Sequence, residues 1–153
     1  MEDIQVGKRL PLWEEIPDFD LYMDQVISLL NNYFSELIVN DRDIITKNMI
    51  NNYVKMKVVP APVKKRYTRV HMAYLIVVCL LKKVFEISAI KTFLPYGDDE
   101  KLKMLYTSFI EYINKASEHI DLTEENKELL VFRLSADAIV IRTVAEKMTV
   151  KMH

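Results

Sequence analysis

The ten residues from Met72 to Leu81 (Met-Ala-Tyr-Leu-Ile-Val-Val-Cys-Leu-Leu) carry no charged side chain and no amide. Wound as a helix they have no polar face, and such a helix must be surrounded on all sides. A membrane span needs ~20 apolar residues, so this run is expected at the centre of a folded core instead. Its β-branched content alone would permit a strand. Thr68 stands where it can cap a helix, however, and the length from Thr68 to about Val84 favours helix. The rest of the chain must fit around this element. With only two glycines in 153 residues, hairpin-rich, phosphate-loop and dinucleotide-binding architectures are disfavoured. The single cysteine, Cys79, lies inside the run. It reads as a small core residue in a reducing compartment, with no disulfide framework. The acidic, apolar-poor start shows no signal peptide, so a soluble cytoplasmic protein is expected.

Further helices follow from apolar spacing. Residues 1–17 read as an irregular lead-in punctuated by Pro11 and Pro17, with Trp13 packing as a lid. Asp18 or Asp20 can cap a first helix that carries Leu21, Val26, Leu30, Phe34 and Leu37 and ends before Asn40. Ser88 opens a short helix closed by Pro95 and Gly97, and residues 96–100 form the best boundary. Beyond it, Leu102, Leu105, Tyr106, Phe109 and Ile113 mark one long helix. Thr123 caps another that runs through Leu129, Ile139, Ile141 and Val144. Its stretch Ala138–Ile141 is apolar on more than one face, which favours a subunit interface over intrachain burial alone. Arg133 and Asp137 are spaced for an i,i+4 ion pair.

Charge is distributed unevenly. The net formal charge is −1, but residues 42–91 alone carry +9, between acidic flanks. A segment of that kind suggests a polyanion-binding face built into an otherwise acidic protein. Its focus is residues 46–70. Thr46 can cap a short helix in which Met49, Ile50, Tyr53 and Val54 form the inner face. The outer face holds Lys47, Asn48, Asn51, Asn52 and Lys55, without one acid. Lysines meet phosphates, and asparagines can make paired hydrogen bonds to adenine edges. Pro60 and Pro62 then extend the chain into Lys64-Lys65-Arg66-Tyr67. The reading is a recognition helix, 46–55, followed by a basic wing, 58–67.

Residues 46–94 resemble the winged helix-turn-helix of MerR-type transcription regulators. In that family a recognition helix ending in a Leu-Arg-Tyr-Tyr-Glu type sequence leads into a Gly-Leu-Leu-x-Pro wing, then a tyrosine before the next helix. Ile50-Asn51-Asn52-Tyr53-Val54, Lys57-Val58-Val59-Pro60 and Tyr67 occupy these places here. Ile87 and Ile90 resemble the family's final short helix. Asn51 replaces the usual phosphate-binding arginine, Lys57 the wing glycine, and Phe85 the glycine after the third helix. Over its full length the chain is similar to the YkrK-type family of small Firmicutes proteins of unknown function. That likeness rests on Leu10-Pro-Leu-Trp-Glu-Glu-Ile-Pro17, Asp20-Leu-Tyr-Met-Asp-Gln25, Met49-Ile-Asn-Asn-Tyr-Val-Lys55, Pro62-Val-Lys-Lys-Arg-Tyr67 and His71-Met-Ala-Tyr-Leu-Ile76. It implies a transcriptional regulator and supplies no catalytic residue.

The expected architecture is therefore mainly α: a MerR-like winged helix-turn-helix bundle over 18–95 with a small two-strand wing, and a C-terminal helical pair over 98–153. The expected function is sequence-specific binding of double-stranded DNA as a homodimer joined through the C-terminal helices. Asn48, Asn51 and Asn52 would read bases. Lys47, Lys55, Lys57, Lys64, Lys65, Arg66, Tyr67 and Arg69 would contact phosphates or form the wing. Neutralising six to eight phosphates per dimer gives a log–log salt slope of about −5 to −7. The competing reading is a protein-interaction module whose basic face binds an acidic partner. No catalytic arrangement, cofactor motif or metal spacing is present around His71, His119 or His153, and an enzyme is not expected. A small-molecule effector would need a pocket between the C-terminal helices and the core.

Overall fold

In the computed structural model, which describes residues 9–152, the apolar run forms helix α3 (Arg69–Leu81), and every side chain from His71 to Leu80 is buried. The Thr68 hydroxyl accepts from the His71 amide at 3.5 Å, while His71 Nδ1 accepts from the Thr68 amide at 3.0 Å. This is a reciprocal cap with imidazole in the place usually held by Glu or Gln. His71 Nε2 then donates to the Ala61 carbonyl at 2.9 Å. Both ring nitrogens are engaged within the chain, so His71 serves as a local cap.

Around α3 stand α1 (Met23–Tyr33), α2 (Lys47–Lys55), α4 (Ile87–Phe93), α5 (Asp99–Ala116) and α6 (Lys127–Lys151). Val26 and Leu30 of α1, Ile50 and Tyr53 of α2, and Leu102, Tyr106 and Ile110 of α5 join α3 in one apolar cluster. Each such side chain contributes ~1.5–3 kcal/mol by leaving water. The turn at 96–100 holds Gly97 at φ +81°, a conformation other residues avoid. Asp98 then caps α5, its Oδ1 accepting from the Lys101 amide at 3.1 Å. Past this turn α5 packs along α3. The N-terminal segment straps across α5. Asn114 bonds both backbone groups of Leu10, at 2.8 and 3.1 Å, and the Tyr106 hydroxyl donates to the Pro11 carbonyl at 2.7 Å. Trp13 closes the strap edge-on to Tyr106, with ring centroids 5.8 Å apart. Residues 1–8 of the lead-in and His153 lie outside the described residues.

Several expectations are corrected. The two-strand wing is absent: no strand forms among the described residues, and only isolated bridges join Leu21 to Tyr67 and Val63 to Arg66. Pro60 and Pro62 lack the amide a ladder requires, which leaves one tight turn where a wing was expected. The first helix starts at Met23, capped by Gln25 accepting from the Tyr22 amide at 2.9 Å, because Leu21 is extended and paired with Tyr67. It also ends at Tyr33, before the expected stop, and Asn31 pins the following loop through both backbone groups of Ile45. Glu86, not Ser88, precedes α4. Asn126, not Thr123, caps α6, accepting from the Leu129 amide at 3.0 Å; the Thr123 hydroxyl bonds Asp121 instead. Arg133 turns back to the Asp121 carboxylate, 3.6 Å away, and not to Asp137.

Helix α6 meets the body only sparsely. It contacts α4, and among its described side chains Leu130 alone is buried. Phe132, Ile139, Val140, Ile141, Val144 and Val150 are exposed.

Burial pushes the Cys79 thiol up to about 12. At pH 8 its thiolate fraction is then on the order of 10⁻⁴. The native protein is expected to resist an aromatic disulfide reagent and to react with one equivalent once denatured. Rapid labelling of the native state would contradict the placement of Cys79 in the core.

Candidate nucleic-acid interface

Helix α2 is short and strongly two-sided. The Thr46 hydroxyl accepts from the Met49 amide at 3.3 Å, as a helix cap should. Ile50 and Tyr53 are buried and Met49 and Val54 half-buried, while Lys47, Asn48, Asn51, Asn52 and Lys55 are all exposed. The apolar stripe thus turns the entire cation-and-amide face outward. No acid shares that face, so nothing on the helix competes with an anion for the lysines.

The end of α2 is a closed left-handed cap. The Val58 amide donates to the Tyr53 carbonyl at 3.1 Å and the Lys57 amide to the Val54 carbonyl at 3.0 Å, with Val58 and Tyr53 both buried beneath. This pattern needs a left-handed residue, usually glycine. Lys57 occupies it at φ 59°. A second unusual turn follows at Val63–Arg66, whose end residues exchange backbone hydrogen bonds at 3.1 and 2.9 Å. Its central residues, Lys64 and Lys65, lie at φ 51° and 62°. Turns with two such residues ordinarily take Asn-Gly or Asp-Gly. Among the described residues, the non-glycine positions with positive φ are these three lysines. Left-handed backbone costs a residue with a Cβ roughly 1–2 kcal/mol. Strain concentrated on cations in one segment is the kind of local cost that functional sites carry.

The other candidates divide. Arg66 is exposed, and its guanidinium lies 5.9 Å from the centre of the Tyr22 ring, which tethers the turn to the start of α1. Tyr67 is buried, its ring edge-on to His71 with centroids 5.7 Å apart, and burial pushes its phenol up. Arg69 is half-buried and donates through Nε to the Ile16 carbonyl at 2.9 Å. Neither Tyr67 nor Arg69 therefore joins the exposed set of Lys47, Asn48, Asn51, Asn52, Lys55, Lys57, Lys64, Lys65 and Arg66. Sequence reasoning missed the left-handed lysines; two lysines in a two-residue turn between paired residues were the signal available. Among the described residues no group of His, Cys, Asp or Glu could hold a metal ion. No helix of theirs is long and apolar enough to cross a membrane.

Lys57 itself offers a stability test. Lys57→Gly is expected to raise the unfolding free energy by about 0.5–1 kcal/mol, since glycine enters the left-handed region without the Cβ clash. Denaturant titration measures it. A loss of stability would contradict the cap geometry.

Fold and surface together define an all-helical domain presenting a short, acid-free, cationic helix beside strained basic turns. The chain belongs to the family described as a domain of unknown function, DUF1836, whose model matches residues 11–112. The match begins at the N-terminal strap, spans α1 to α4 and most of α5, and stops before α6. No curated protein and no solved structure matches the chain.

Proposed function

We propose that the protein is a sequence-reading DNA-binding transcriptional regulator, acting as a homodimer. Helix α2 enters the major groove with Asn48, Asn51 and Asn52 toward base edges. Lys47, Lys55, Lys57, Lys64, Lys65 and Arg66 meet the backbone, the 63–66 turn taking the part a wing plays in MerR-like proteins. The observation that carries this reading is the coincidence of an outward cation-and-amide helix face with three lysines held in left-handed backbone. An ordinary solvated surface has no need of either. The resemblances to MerR-type regulators and to the YkrK-type family point the same way, and Lys57 adopts the backbone of the glycine it replaces. At Phe85, where that family also has glycine, φ is not positive, so the departure there is harmless.

Dimerisation is assigned to α6, whose apolar side chains are left exposed by the described residues. Two recognition helices one helical turn apart, ~34 Å, would meet a pseudo-palindromic site.

The test is binding of the purified protein to duplex DNA from upstream of its own gene, beside a scrambled duplex, across a salt series. A log–log slope of about −5 to −7, with preference for its own region persisting at physiological salt, is the expected result. A slope near zero sinks the reading. Weak, equal binding to both duplexes would redirect it to an acidic protein partner on the same basic face.

A further inference from the structure

A cavity of about 440 Å³ opens between the end of α1, the 38–45 loop, the inner edge of α2 and the end of α3. It does not lie between the C-terminal helices and the core, the place the sequence reading required for an effector pocket. Its size falls in the usual range for small-molecule sites, ~300–1,000 Å³. Phe34, Leu37, Ile38, Met49, Tyr53 and Leu80 supply apolar and aromatic wall. The charged side chains on the lining are Arg42, Asp43, Lys82 and Lys83, three cations to one carboxylate.

That carboxylate is already committed. Asp43 Oδ2 accepts from the amides of Val39 and Asn40 at 3.0 and 3.4 Å, and Lys83 Nζ lies 3.7 Å from its Oδ1. These contacts, led by the Val39 amide, hold its pKa below the ordinary value, so Asp43 stays ionised and balances Lys83. Lys83 also donates to the Leu37 carbonyl at 3.2 Å. Arg42 adds to the field that keeps Asp43 ionised without forming a salt bridge, and one carboxylate against Arg42, Lys82 and Lys83 leaves the lining two positive charges in excess. An apolar cleft whose charged lining carries a net positive charge is complementary to a molecule with one apolar body and one anionic end.

Two walls of the cleft give it consequence. Met49 and Tyr53 belong to α2 and lie on the face opposite Asn48, Asn51 and Asn52. Whatever fills the cavity presses on the back of the helix proposed to read DNA.

We propose that this cavity is a binding site for a small amphipathic carboxylate, and that its occupancy shifts α2 and so alters DNA affinity. The second half rests on the DNA-binding reading; the site itself does not.

Octanoate, with uncharged octanamide as control, tests both halves on the full chain. Titrations followed by amide chemical shifts and thermal unfolding are expected to show saturable octanoate binding. The largest shifts should fall at Met49, Tyr53 and Leu80, with Tm rising as ligand is added, because a ligand of the native state stabilises it. Octanamide should bind at least tenfold more weakly. Arg42→Gln with Lys82→Gln, both exposed in the native protein, should leave the unliganded Tm unchanged and weaken octanoate by at least tenfold. Absence of saturable octanoate binding, equal binding of octanamide, or shifts confined to another surface overturns the site. Octanoate binding with unchanged affinity for a DNA that the protein does bind overturns the coupling. If octanoate binds as described but no DNA does, the site stands and the proposed function falls.

Discussion

Replacing Lys64 with Asn and Lys65 with Gly is expected to stabilise the fold and weaken DNA binding by about 10²–10³-fold at physiological salt. The two signs come from different parts of the same residues. In the backbone, φ values of 51° and 62° suit Asn-Gly and strain Lys-Lys, so the substitution relieves about 1–2 kcal/mol, partly offset by glycine's greater freedom when unfolded. In the side chains, two cations per protomer vanish, or four per dimer. Each phosphate left without its lysine takes about 0.9 from the log–log salt slope, so the slope should become shallower by up to about 3–4. Denaturant unfolding reads the first effect and a salt series the second. If stability rises while DNA affinity and slope stay unchanged, the lysines at this turn do not face DNA. If stability falls, the turn geometry itself is wrong.

If α6 joins two chains as proposed, substituting Ile141 and Val144 with Glu is expected to separate them. Both side chains are exposed on α6, at 68% and 56%, three residues apart and therefore neighbours on one helix face. A symmetric interface through that face would bring four new carboxylates together in an apolar contact. Like charges placed against one another cost several kcal/mol, which at about 1.4 kcal/mol per tenfold means self-association weaker by at least about 100-fold. Because both side chains are largely exposed in the single chain, the helical content and Tm of the monomer should change little. Sedimentation at matched concentrations, native against variant, decides the matter. A native protein that sediments as a monomer at high concentration, or a variant that remains dimeric, removes α6 from the interface.

Much of this organisation was legible in the residues. The ten-residue apolar run could only be central, and α3 is buried from His71 to Leu80. Thr46 and Thr68 cap the helices assigned to them because each immediately precedes its helix and its hydroxyl accepts from the amide three residues on. The spacing of Met49, Ile50, Tyr53 and Val54 put the lysines and asparagines of α2 outside.

What was hidden was set by partners distant in sequence. Nothing near Leu21 announces that it pairs with Tyr67, and that pairing delays α1. Ser88 and Thr123 are good caps locally, yet the chain enters α4 and α6 at Glu86 and Asn126. The wing failed because two prolines remove ladder donors, a cue the residues did contain. Tyr67 and Arg69 looked like surface groups beside Lys64 and Lys65, but the ring packs against His71 and the guanidinium ties down Ile16. The cavity was invisible for the same reason: its walls come from four separate stretches of chain.

The most direct measurement is selection from a random pool of duplexes, carried out in parallel with the native protein and with Asn51→Ala plus Asn52→Ala. A recognition helix seated in the major groove predicts that the native protein enriches a pseudo-palindromic site with half-sites about one helical turn apart. It predicts that the variant loses preference at defined positions, at about 1–3 kcal/mol for each bidentate pair removed, while its salt slope is unchanged. Failure of the native protein to enrich any sequence, or an identical enriched site from the variant, would contradict the assignment of α2 as the element that reads DNA.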